Sequence, residues 1–390
     1  MQTLHTFVNV PKNSDFSIYN LPYGIFSTQT KSPRIGVAIG QQILDLAALA
    51  RKGFFDDLGI DKKIFAQPQL NDFIALGKPI TTQVRNRIQT ALCDEQGVIA
   101  QNRRLLVQQR NARLHLPIQI GDYTDFYSSI EHATNIGTMF RDPNNALLPN
   151  WRHLPVGYHG RASSIIVSGT DIHRPKGQVM PKDADAPVYQ PTGRLDIELE
   201  MGFVIGKPTA LGQTISTSQA EEHIFGLILF NDWSARDIQK WEYVPLGPFL
   251  GKSFASSVAP WIVPLEALDP FRVAGPVQTP KVLPYLEYDG LKNYDIQLSV
   301  DLLPETAKQP TTICTSNFKY MYWNMTQQLA HHTVNGCNVN VGDLMASGTI
   351  SGKEKSSYGS MLELSWAGKH PIQLNGIAIF KKNTTLAPVE

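Results

Sequence analysis

An alternating acidic and apolar segment in the middle of the chain constrains the fold more than any other feature. Residues 194–201 read Arg-Leu-Asp-Ile-Glu-Leu-Glu-Met, so that Asp196, Glu198 and Glu200 alternate with apolar residues. A strict period of two predicts a half-buried β-strand that carries all three carboxylates on one face. Alternate residues on a strand lie roughly 6.5–7 Å apart, which allows neighbouring carboxylates to converge on one ion.

Two roles are open to such a row of acids. Like charges side by side raise one another's pKa unless a positive group lies among them. A hard divalent cation, Mg²⁺ or Ca²⁺, is the simplest such group because both ions prefer oxygen ligands. A solvated strand face opposite lysines is the commoner arrangement for an acidic strand taken alone, so the rest of the chain must decide.

Composition places the chain among globular proteins. Its 390 residues, 42% hydrophobic and 18% charged, predict a large packed domain with a smaller one beside it. A net charge of +1 without a basic run argues against a nucleic-acid partner. We expect no secretion signal in residues 1–17 and no membrane span, since the apolar runs are short. Three widely spaced cysteines indicate reduced thiols and a cytoplasmic location.

The chain has two regions of different character. Residues 1–117 contain a hairpin pattern at 34–40 and 42–46 and helical spacing at 70–76 and 81–92, with little clustered chemistry. From residue 118 onward glycine, proline and aromatic residues are dense. Strands are predicted at 165–167, 195–205, 225–230, 296–303 and 361–366, and helices at 218–225 and 316–334. Many strands with few helices predict a mostly β, α+β fold.

Familiar catalytic motifs are absent, which narrows the function. The sequence has no G-x-S-x-G elbow, P-loop or H-E-x-x-H motif. Instead, polar residues gather at 121–127, followed by His132, and at 231–239, where Asp232 ends an apolar strand and Arg236 and Gln239 open a helix. Another loop, 241–252, ends in Lys252. Each of these residues also has an ordinary structural explanation when considered alone.

Together these groups suit one reaction type. A metal can polarise a pair of carbonyl oxygens, a base can activate water, and fixed donors can stabilise an oxyanion. Glu363, on a further predicted strand, is a candidate carboxylate to orient His132 and raise its basicity. The sequence alone does not show that these two residues meet.

Long strings of sequence resemble the fumarylacetoacetate hydrolase family over nearly the whole chain. The matching strings are NLPYGIFS at 20–27, PRIGVAIG at 33–40, IGDYTDFYSS at 120–129, LPVGYHGRASS at 154–164, NDWSARD at 231–237, WEYVPLGPFLGKSF at 241–254 and ASGTISG at 346–352. Such strings are far more specific than the D-x-E-x-E strand. The resemblance implies an N-terminal SH3-like domain with helices at 1–117, a catalytic mixed β-roll at 118–390, and a homodimer. It also implies hydrolysis of the carbon–carbon bond of 4-fumarylacetoacetate to fumarate and acetoacetate, the last step of tyrosine and phenylalanine catabolism.

The resemblance also implies a role for individual residues, with Ca²⁺ and/or Mg²⁺ as cofactor. The implied metal ligands are Asp125, Glu198, Glu200 and Asp232, with Lys252 and Ser256 at a further cation position. His132 is implied as the base that activates water, with Glu363 behind it. The implied oxyanion pocket consists of Arg236, Gln239 and Lys252. The implied substrate contacts are Tyr127, Arg141, Tyr158, Gln239, Tyr243 and Thr349. Asp196 is not a ligand in this scheme. The alternation of the segment predicts three equivalent carboxylates, whereas the resemblance implies that only two of them, Glu198 and Glu200, bind the metal.

Two alternatives remain open at this point. One is the hydrolysis of another acylpyruvate-like β-diketo acid, and the other is a dimeric protein that kept the site residues but lost catalysis. The C-terminal segment, residues 380–390, departs from the glycine-rich closing segment of the family. We expect a missing closing strand to leave a sheet edge unpaired, which affects stability and dimer packing more than the ligand set.

Overall fold

The computed structural model describes residues 3–305, 307–374 and 377–379. The N-terminal part contains strands β1 Tyr23–Thr28, β2 Lys31–Ile39, β3 Gln42–Asp45, β4 Leu106–Gln108 and β5 Arg113–His115, and helices α1 Leu46–Ala50, α2 Asn71–Ile74, α3 Lys78–Cys93 and α4 Val98–Gln101. The predicted hairpin is confirmed as β2–β3, whose tight turn contains Gly40 at a φ of +52°. The predicted helical face is confirmed in α3, where Val84, Ile88 and Leu92 are buried.

The remainder of the chain is richer in strands. These are β6 Tyr123–Phe126, β7 Gly157–His159, β8 Ile165–Val167, β9 Lys176–Val179, β10 Val188–Pro191, β11 Leu195–Asp196, β12 Leu199–Ile205, β13 Ile224–Asp232, β14 Ser234–Ala235, β15 Ser256–Val258, β16 Trp261–Pro264, β17 Arg272–Val273, β18 Asn293–Tyr294, β19 Gln297–Leu302, β20 Thr311–Asn317, β21 Leu344–Ala346, β22 Ile372–Leu374 and β23 Ile377–Ile379. The helices are α5 Ile130–Phe140, α6 Ala220–His223, α7 Arg236–Glu242, α8 Met325–Thr333 and α9 Met361–Leu364.

A large mixed sheet joins the two parts of the chain. Its strand order is β4-β3-β2-β1-β16-β13-β12-β21-β6-β7, with β5 on β1, and with β15 pairing both β13 and β8. The β21–β6 and β15–β8 pairs are parallel and the other pairs of this sheet are antiparallel. The prediction of a mostly β, α+β fold with a mixed sheet is therefore confirmed.

The main hydrophobic core also crosses from the first part into the second. The ring of Tyr23 on β1 lies 5.0 Å from that of Phe73 in α2 and 6.0 Å from that of Phe225 in β13, measured between centroids. All three side chains belong to one buried cluster. The predicted domain division at residues 117 and 118 falls between β5 and β6, and it stays a prediction because sheet and core continue across it.

The acidic segment does not form the single strand that its alternation predicts. β11 ends at Asp196 and β12 begins at Leu199, while Glu198 makes an isolated bridge to Ser360. The Asp196 carboxylate bonds the Ile197 amide and groups from other segments. Such local side-chain bonds compete with a regular ladder, so the strand is interrupted beside them.

Three other predictions of secondary structure are wrong in type or extent. Residues 361–366 are not a strand, because Ser360 caps helix α9 by accepting a hydrogen bond from the Glu363 amide at 3.2 Å. The helix predicted at 316–334 starts only at Met325. Its first residues belong to β20, which pairs with β19, and an Asn324 capping box begins α8. The helix predicted at 218–225 is the short α6.

The other sequence expectations for this region hold. The strands predicted at 165–167, 225–230 and 296–303 correspond to β8, β13 and β19. Cys93, Cys314 and Cys337 are free thiols. Among the described residues, every helix is too short or too polar to cross a lipid bilayer. The predicted effect of residues 380–390 lies outside the described residues.

Candidate active site

Four carboxylates meet at the centre of the mixed sheet. Asp125 lies on β6, Glu200 on β12 and Asp232 at the end of β13, while Glu198 lies just before β12. One carboxylate oxygen from each lies within 4.8 Å of those of the others. The strand order β13-β12-β21-β6 explains this convergence, because the chain segments are neighbours in the sheet although distant in sequence.

These carboxylates are buried. Their residues are 3%, 6%, 0% and 1% exposed for Asp125, Glu198, Glu200 and Asp232. A solvated acidic face is therefore the wrong interpretation of this segment. Buried carboxylates require partners, because an isolated buried charge is very costly.

Two cations lie against the cluster. Lys252 Nζ is 2.5 Å from Glu198 Oε2 and 2.5 Å from Asp232 Oδ2. Arg236 Nη1 is 2.7 Å from Glu198 Oε1. These two charges are fewer than the four carboxylates, and both are concentrated on the Glu198 and Asp232 side of the cluster.

The pKa values follow this uneven distribution. Burial, together with the Asp232 charge, raises the pKa of Asp125 well above its usual range, and burial with the Asp125 charge does the same for Glu200. Burial also acts on Glu198, but the Lys252 and Arg236 charges outweigh it and hold the pKa of Glu198 below its usual value. Asp125 and Glu200 are therefore the groups that most need a further positive charge.

The cluster fits a hard divalent cation. Asp125 Oδ1 and Glu200 Oε1 are buried and have no hydrogen-bond partner within the described part of the chain. Unpaired buried carboxylate oxygens in a group with an excess of negative charge are the donors that Mg²⁺ or Ca²⁺ prefers. Asp196 is not part of this group, and its carboxylate pairs with Arg236 Nε at 2.8 Å.

A histidine–carboxylate pair lies beside the cluster. His132 is in the first turn of α5, where Ser129 caps the helix by accepting the His132 amide at 3.2 Å. Its Nδ1 lies 2.7 Å from Glu363 Oε2. Burial opposes ionisation of Glu363, but attraction to the imidazolium form of His132 and hydrogen bonds to Glu363 hold the pKa of this carboxyl below its usual value. The Gly348 amide donates to Glu200 and the Ser351 hydroxyl, three residues further on, donates to Glu363, so one short loop joins the pair to the cluster.

The predicted donor residues are arranged around the same carboxylates. Arg236 Nη1 lies 3.4 Å from Gln239 Oε1, one helical turn away on α7. Arg236 Nη2 is buried and has no partner among the residues that the structure describes. Ser256 Oγ donates to Asp232 Oδ1 at 2.7 Å. The pKa of Lys252 is raised, because the Asp232 and Glu198 charges outweigh its burial, which favours an ammonium group that donates to both carboxylates. The predicted further cation position at Lys252 and Ser256 stays a prediction.

Most of the predicted substrate residues surround this space. The Tyr127 ring lies 5.3 Å from the His132 ring between centroids, and Tyr158 donates to Asp232 Oδ2 at 3.3 Å. Thr349 Oγ1 is buried and lacks a partner among the described residues. Arg141 Nη2 donates to the Ala146 carbonyl at 2.7 Å, and its contact with substrate stays a prediction.

Tyr243 is exposed, unlike the carboxylates of the cluster. It follows α7, is 51% exposed, and its amide donates to the Gln239 carbonyl at 3.0 Å. No hydrogen bond joins its side chain to the four carboxylates within the described ranges. Its substrate role stays a prediction.

Several residues of the site were not predicted from sequence. Glu363 also accepts hydrogen bonds from Asn135 Nδ2 at 2.9 Å, Ser351 Oγ at 3.0 Å and Ser360 Oγ at 2.9 Å. The Gly348 amide donates to Glu200 Oε2 at 3.0 Å. Asn135 is three residues after His132 in one helix, and this spacing could have indicated a shared partner. The serines carried no comparable signal.

The fold and the site together define a hydrolase class in which a buried acidic cluster adjoins a histidine–carboxylate pair. Residues 19–117 match the family model described as Fumarylacetoacetase N-terminal, and residues 123–375 match that described as Fumarylacetoacetate (FAA) hydrolase C-terminal. The chain belongs to the fumarylacetoacetate hydrolase family.

Curated relatives agree with this assignment, and a solved structure agrees with the fold. The chain is 56% identical to a fumarylacetoacetase of Homo sapiens, covering 95% of this chain and 89% of the relative. It is 50% identical to one of Arabidopsis thaliana, covering 96% and 91%. A solved fumarylacetoacetate hydrolase from Exiguobacterium antarcticum is 17% identical with a TM-score of 0.50, covering 92% of this chain and 97% of that one, which supports the fold alone.

Proposed function

We propose that this protein is a cation-dependent hydrolase that cleaves the carbon–carbon bond of 4-fumarylacetoacetate to give fumarate and acetoacetate. The observation that carries the proposal is the His132–Glu363 pair beside four buried carboxylates, in a chain that is half or more identical to curated fumarylacetoacetases. The substrate is a small β-diketo acid. The excess negative charge of the site would repel its two carbonyl oxygens, so the proposal requires a bound cation that offsets this charge.

His132 acts as the base in this reaction. Glu363 accepts a hydrogen bond from Nδ1–H of His132, which fixes the tautomer and leaves Nε2 free to take a proton from water. The hydroxide adds to the ketone carbon next to the bond that breaks, and the carbonyl oxygen becomes an oxyanion. When the carbon–carbon bond breaks, its electron pair leaves with the acetoacetate part as an enolate. The proton that His132 took from water then passes to this enolate, which completes the acetoacetate and restores the base.

Arg236, Gln239 and Lys252 stabilise the developing negative charge. The Arg236 guanidinium is held at Nη1 by Glu198, so its unpartnered Nη2 is a preorganised donor. Gln239 Oε1 faces Arg236, which leaves its amide hydrogens to donate. We propose that Tyr127, Arg141, Tyr158, Tyr243 and Thr349 position the substrate.

Asp125, Glu198, Glu200 and Asp232 are the residues that would hold the cation, with Ser256 orienting Asp232. When bound, Ca²⁺ or Mg²⁺ supplies Lewis-acid polarisation of the diketone oxygens. We propose either ion, because both take carboxylate oxygens.

Turnover of purified protein tests the proposal. Cleavage of fumarylacetoacetate is measured as the loss of its ultraviolet absorbance. The protein is assayed after treatment with EDTA and again after addition of Ca²⁺ or Mg²⁺. Cleavage that requires a cation, with a higher kcat/KM than for other β-diketo acids, is expected. A higher kcat/KM for another acylpyruvate-like acid contradicts the substrate, and no turnover of any diketone contradicts the enzyme.

We also propose that the protein works as a homodimer in the cytoplasm. The family resemblance supports the dimer, and the three free thiols support a reducing compartment. Light scattering coupled to size-exclusion chromatography tests the oligomeric state, since a mass near 43.4 kDa would indicate a monomer.

A further inference from the structure

Asp196 is a buried carboxylate that the proposed mechanism does not use, and all of its acceptor positions are occupied. Oδ1 accepts the amides of Ile197 and Met361, each at 2.8 Å. Oδ2 accepts Arg236 Nε at 2.8 Å and the Leu362 amide at 3.0 Å. The residue is 3% exposed. An ionised carboxylate has about four lone-pair positions, so this one is fully satisfied.

These bonds join two parts of the site that are far apart in sequence. Arg236, at the start of α7, is held at Nε by Asp196 and at Nη1 by Glu198. Two anchors on one planar guanidinium fix the direction of Nη2, which is the unpartnered donor. Asp196 therefore determines where that donor points.

Two further bonds to Asp196 come from the helix that carries Glu363. Met361 and Leu362 are the first two residues of α9, and their amides have no acceptor within the helix. The Ser360 hydroxyl accepts the amide of Glu363, which is the next residue along the helix. Asp196 thus fixes the first turn of α9, and with it the position of the carboxylate that bonds His132.

We propose that Asp196 is a positioning residue that holds Arg236 and the Glu363 helix in one fixed arrangement, so that the oxyanion donor and the His132–Glu363 base are placed relative to each other. This inference rests on the proposed function for its kinetic consequence. The arrangement itself is a property of the folded chain and can be measured without substrate.

Asparagine cannot replace Asp196 in this arrangement. Each carboxylate oxygen accepts two hydrogen bonds, so the NH₂ group of an asparagine side chain at this position faces two donors whichever way it is turned. Either Arg236 and the Leu362 amide, or the amides of Ile197 and Met361, lose their acceptor. A buried donor without a partner destabilises its surroundings, so the local structure shifts.

The test compares Asp196→Asn with a matched control, Asp237→Asn. Asp237 also accepts a backbone amide, that of Gly193 at 2.8 Å, and follows Arg236 in α7, but within the described chain it makes no hydrogen bond to the Arg236 side chain or to α9. Both variants remove one carboxylate charge from the same neighbourhood. Kinetics, thermal unfolding and amide hydrogen exchange at Met361 and Leu362 are measured for each.

We expect Asp196→Asn to lower kcat by about 10–100-fold, as for other groups that orient active-site residues. KM changes by less than about threefold, because the lost interaction acts in the transition state. Exchange at Met361 and Leu362 becomes faster, whereas Asp237→Asn leaves both kcat and this exchange near wild type. In a Glu363→Gln background the loss caused by Asp196→Asn becomes smaller, because the two residues act as a unit.

Any one of three results for a folded Asp196→Asn protein overturns the inference. These are a wild-type kcat, unchanged hydrogen exchange at α9, or a fall in kcat that is as large in the Glu363→Gln background as in the wild type. If Asp196→Asn does not fold, Asp196→Glu, which keeps the charge and both acceptors, is judged by the same measurements. If the wild-type protein fails to cleave fumarylacetoacetate, the proposed function fails, while hydrogen exchange at α9 still decides the positioning role.

Discussion

His132 Nδ1 lies 2.7 Å from Glu363 Oε2 although 231 positions separate the two residues in the sequence. Each residue is in the first turn of its helix, and each helix is capped by a serine, Ser129 for α5 and Ser360 for α9. Because capping fixes the direction in which a helix begins, the relative orientation of the pair depends on both caps. The base is therefore held by two rigid elements and not by a loop.

Replacement of His132 should remove turnover without removing cation binding. His132→Ala deletes the proton acceptor, so kcat falls by about 10²–10⁴-fold, while all four carboxylates of the cluster remain. The check is kcat together with Ca²⁺ binding by calorimetry. His153→Ala, at an exposed histidine, is the matched control and keeps wild-type kcat. Normal turnover by His132→Ala contradicts the role of this residue.

The pH dependence of cation binding follows from the raised pKa values of Asp125, Glu200 and Asp232. A group whose folded pKa is raised stabilises the protein below its unfolded pKa and loses that contribution as pH rises through the folded pKa. The contribution of these three carboxyl groups to the stability of the cation-free protein is therefore lost as pH rises above about 4. Cation binding displaces these protons, so Ca²⁺ should raise Tm more at pH 8 than at pH 5.

Differential scanning fluorimetry with and without Ca²⁺ at matched ionic strength measures this difference. At an excess of a hundredfold over Kd, binding adds about 2.7 kcal/mol to the free energy of unfolding. A Tm increase that is equal at both pH values, or larger at pH 5, would show that these carboxylates do not bind the cation.

Neutralising Asp125 should have opposite effects on the free and cation-bound states. In the cation-free protein, the Asp125 charge is opposed by burial and by Asp232, so Asp125→Asn raises the free energy of unfolding at pH 8 by about 1 kcal/mol or more. The same change removes a ligand, so the Tm increase caused by Ca²⁺ is lost. Asp122→Asn, at an exposed aspartate nearby, retains that increase. A lower cation-free Tm with an intact Ca²⁺ response is the contrary result.

Local sequence patterns predict the structure correctly where neighbouring residues determine it. They fail where contacts between distant segments determine it. The apolar run before Asp232 gave its position at the end of a strand, and β13 confirms it. The alternation of residues 361–366 predicted a strand for Glu363, yet Ser360 and Asp196 supply acceptors for the amides of a helix. Asp196 is 165 positions from Met361, and no local pattern encodes such a contact.

The same limit applies to the acidic segment. Its period of two predicted three equivalent carboxylates, but Arg236 bonds Asp196 and Glu198, and only Glu198 and Glu200 join the cluster. The residue-level roles came from the family resemblance, because the long matching strings contain the site. Burial of the cluster depends on the sheet order and could not be predicted from alternation.

Removing the charge of Lys252 should destabilise the protein more than changing the shape of this side chain while keeping the charge. Lys252→Met leaves Glu198 and Asp232 without their shared ammonium donor, and breaking a buried ion pair in this way costs about 3–5 kcal/mol. Ca²⁺ recovers part of this loss by supplying positive charge to the same carboxylates. Lys252→Arg keeps the charge and is the control. Urea unfolding of both variants, with and without Ca²⁺, measures the effect, and equal losses in the two variants contradict it.

The beginning of α8 depends on one asparagine. Asn324 Oδ1 accepts the amides of Thr326 and Gln327, each at 3.1 Å, and the Thr326 hydroxyl at 2.7 Å, while Gln327 Oε1 accepts the Asn324 amide in return. Asn324→Ala removes the capping box and lowers the free energy of unfolding by about 1–2 kcal/mol. Asn335→Ala, at an exposed asparagine whose side chain accepts the Cys337 amide, should change the free energy of unfolding by about 0.5 kcal/mol or less. Urea unfolding of the two variants separates a capped helix start from an ordinary surface substitution, and equal changes in both would show that the cap does not determine where α8 begins.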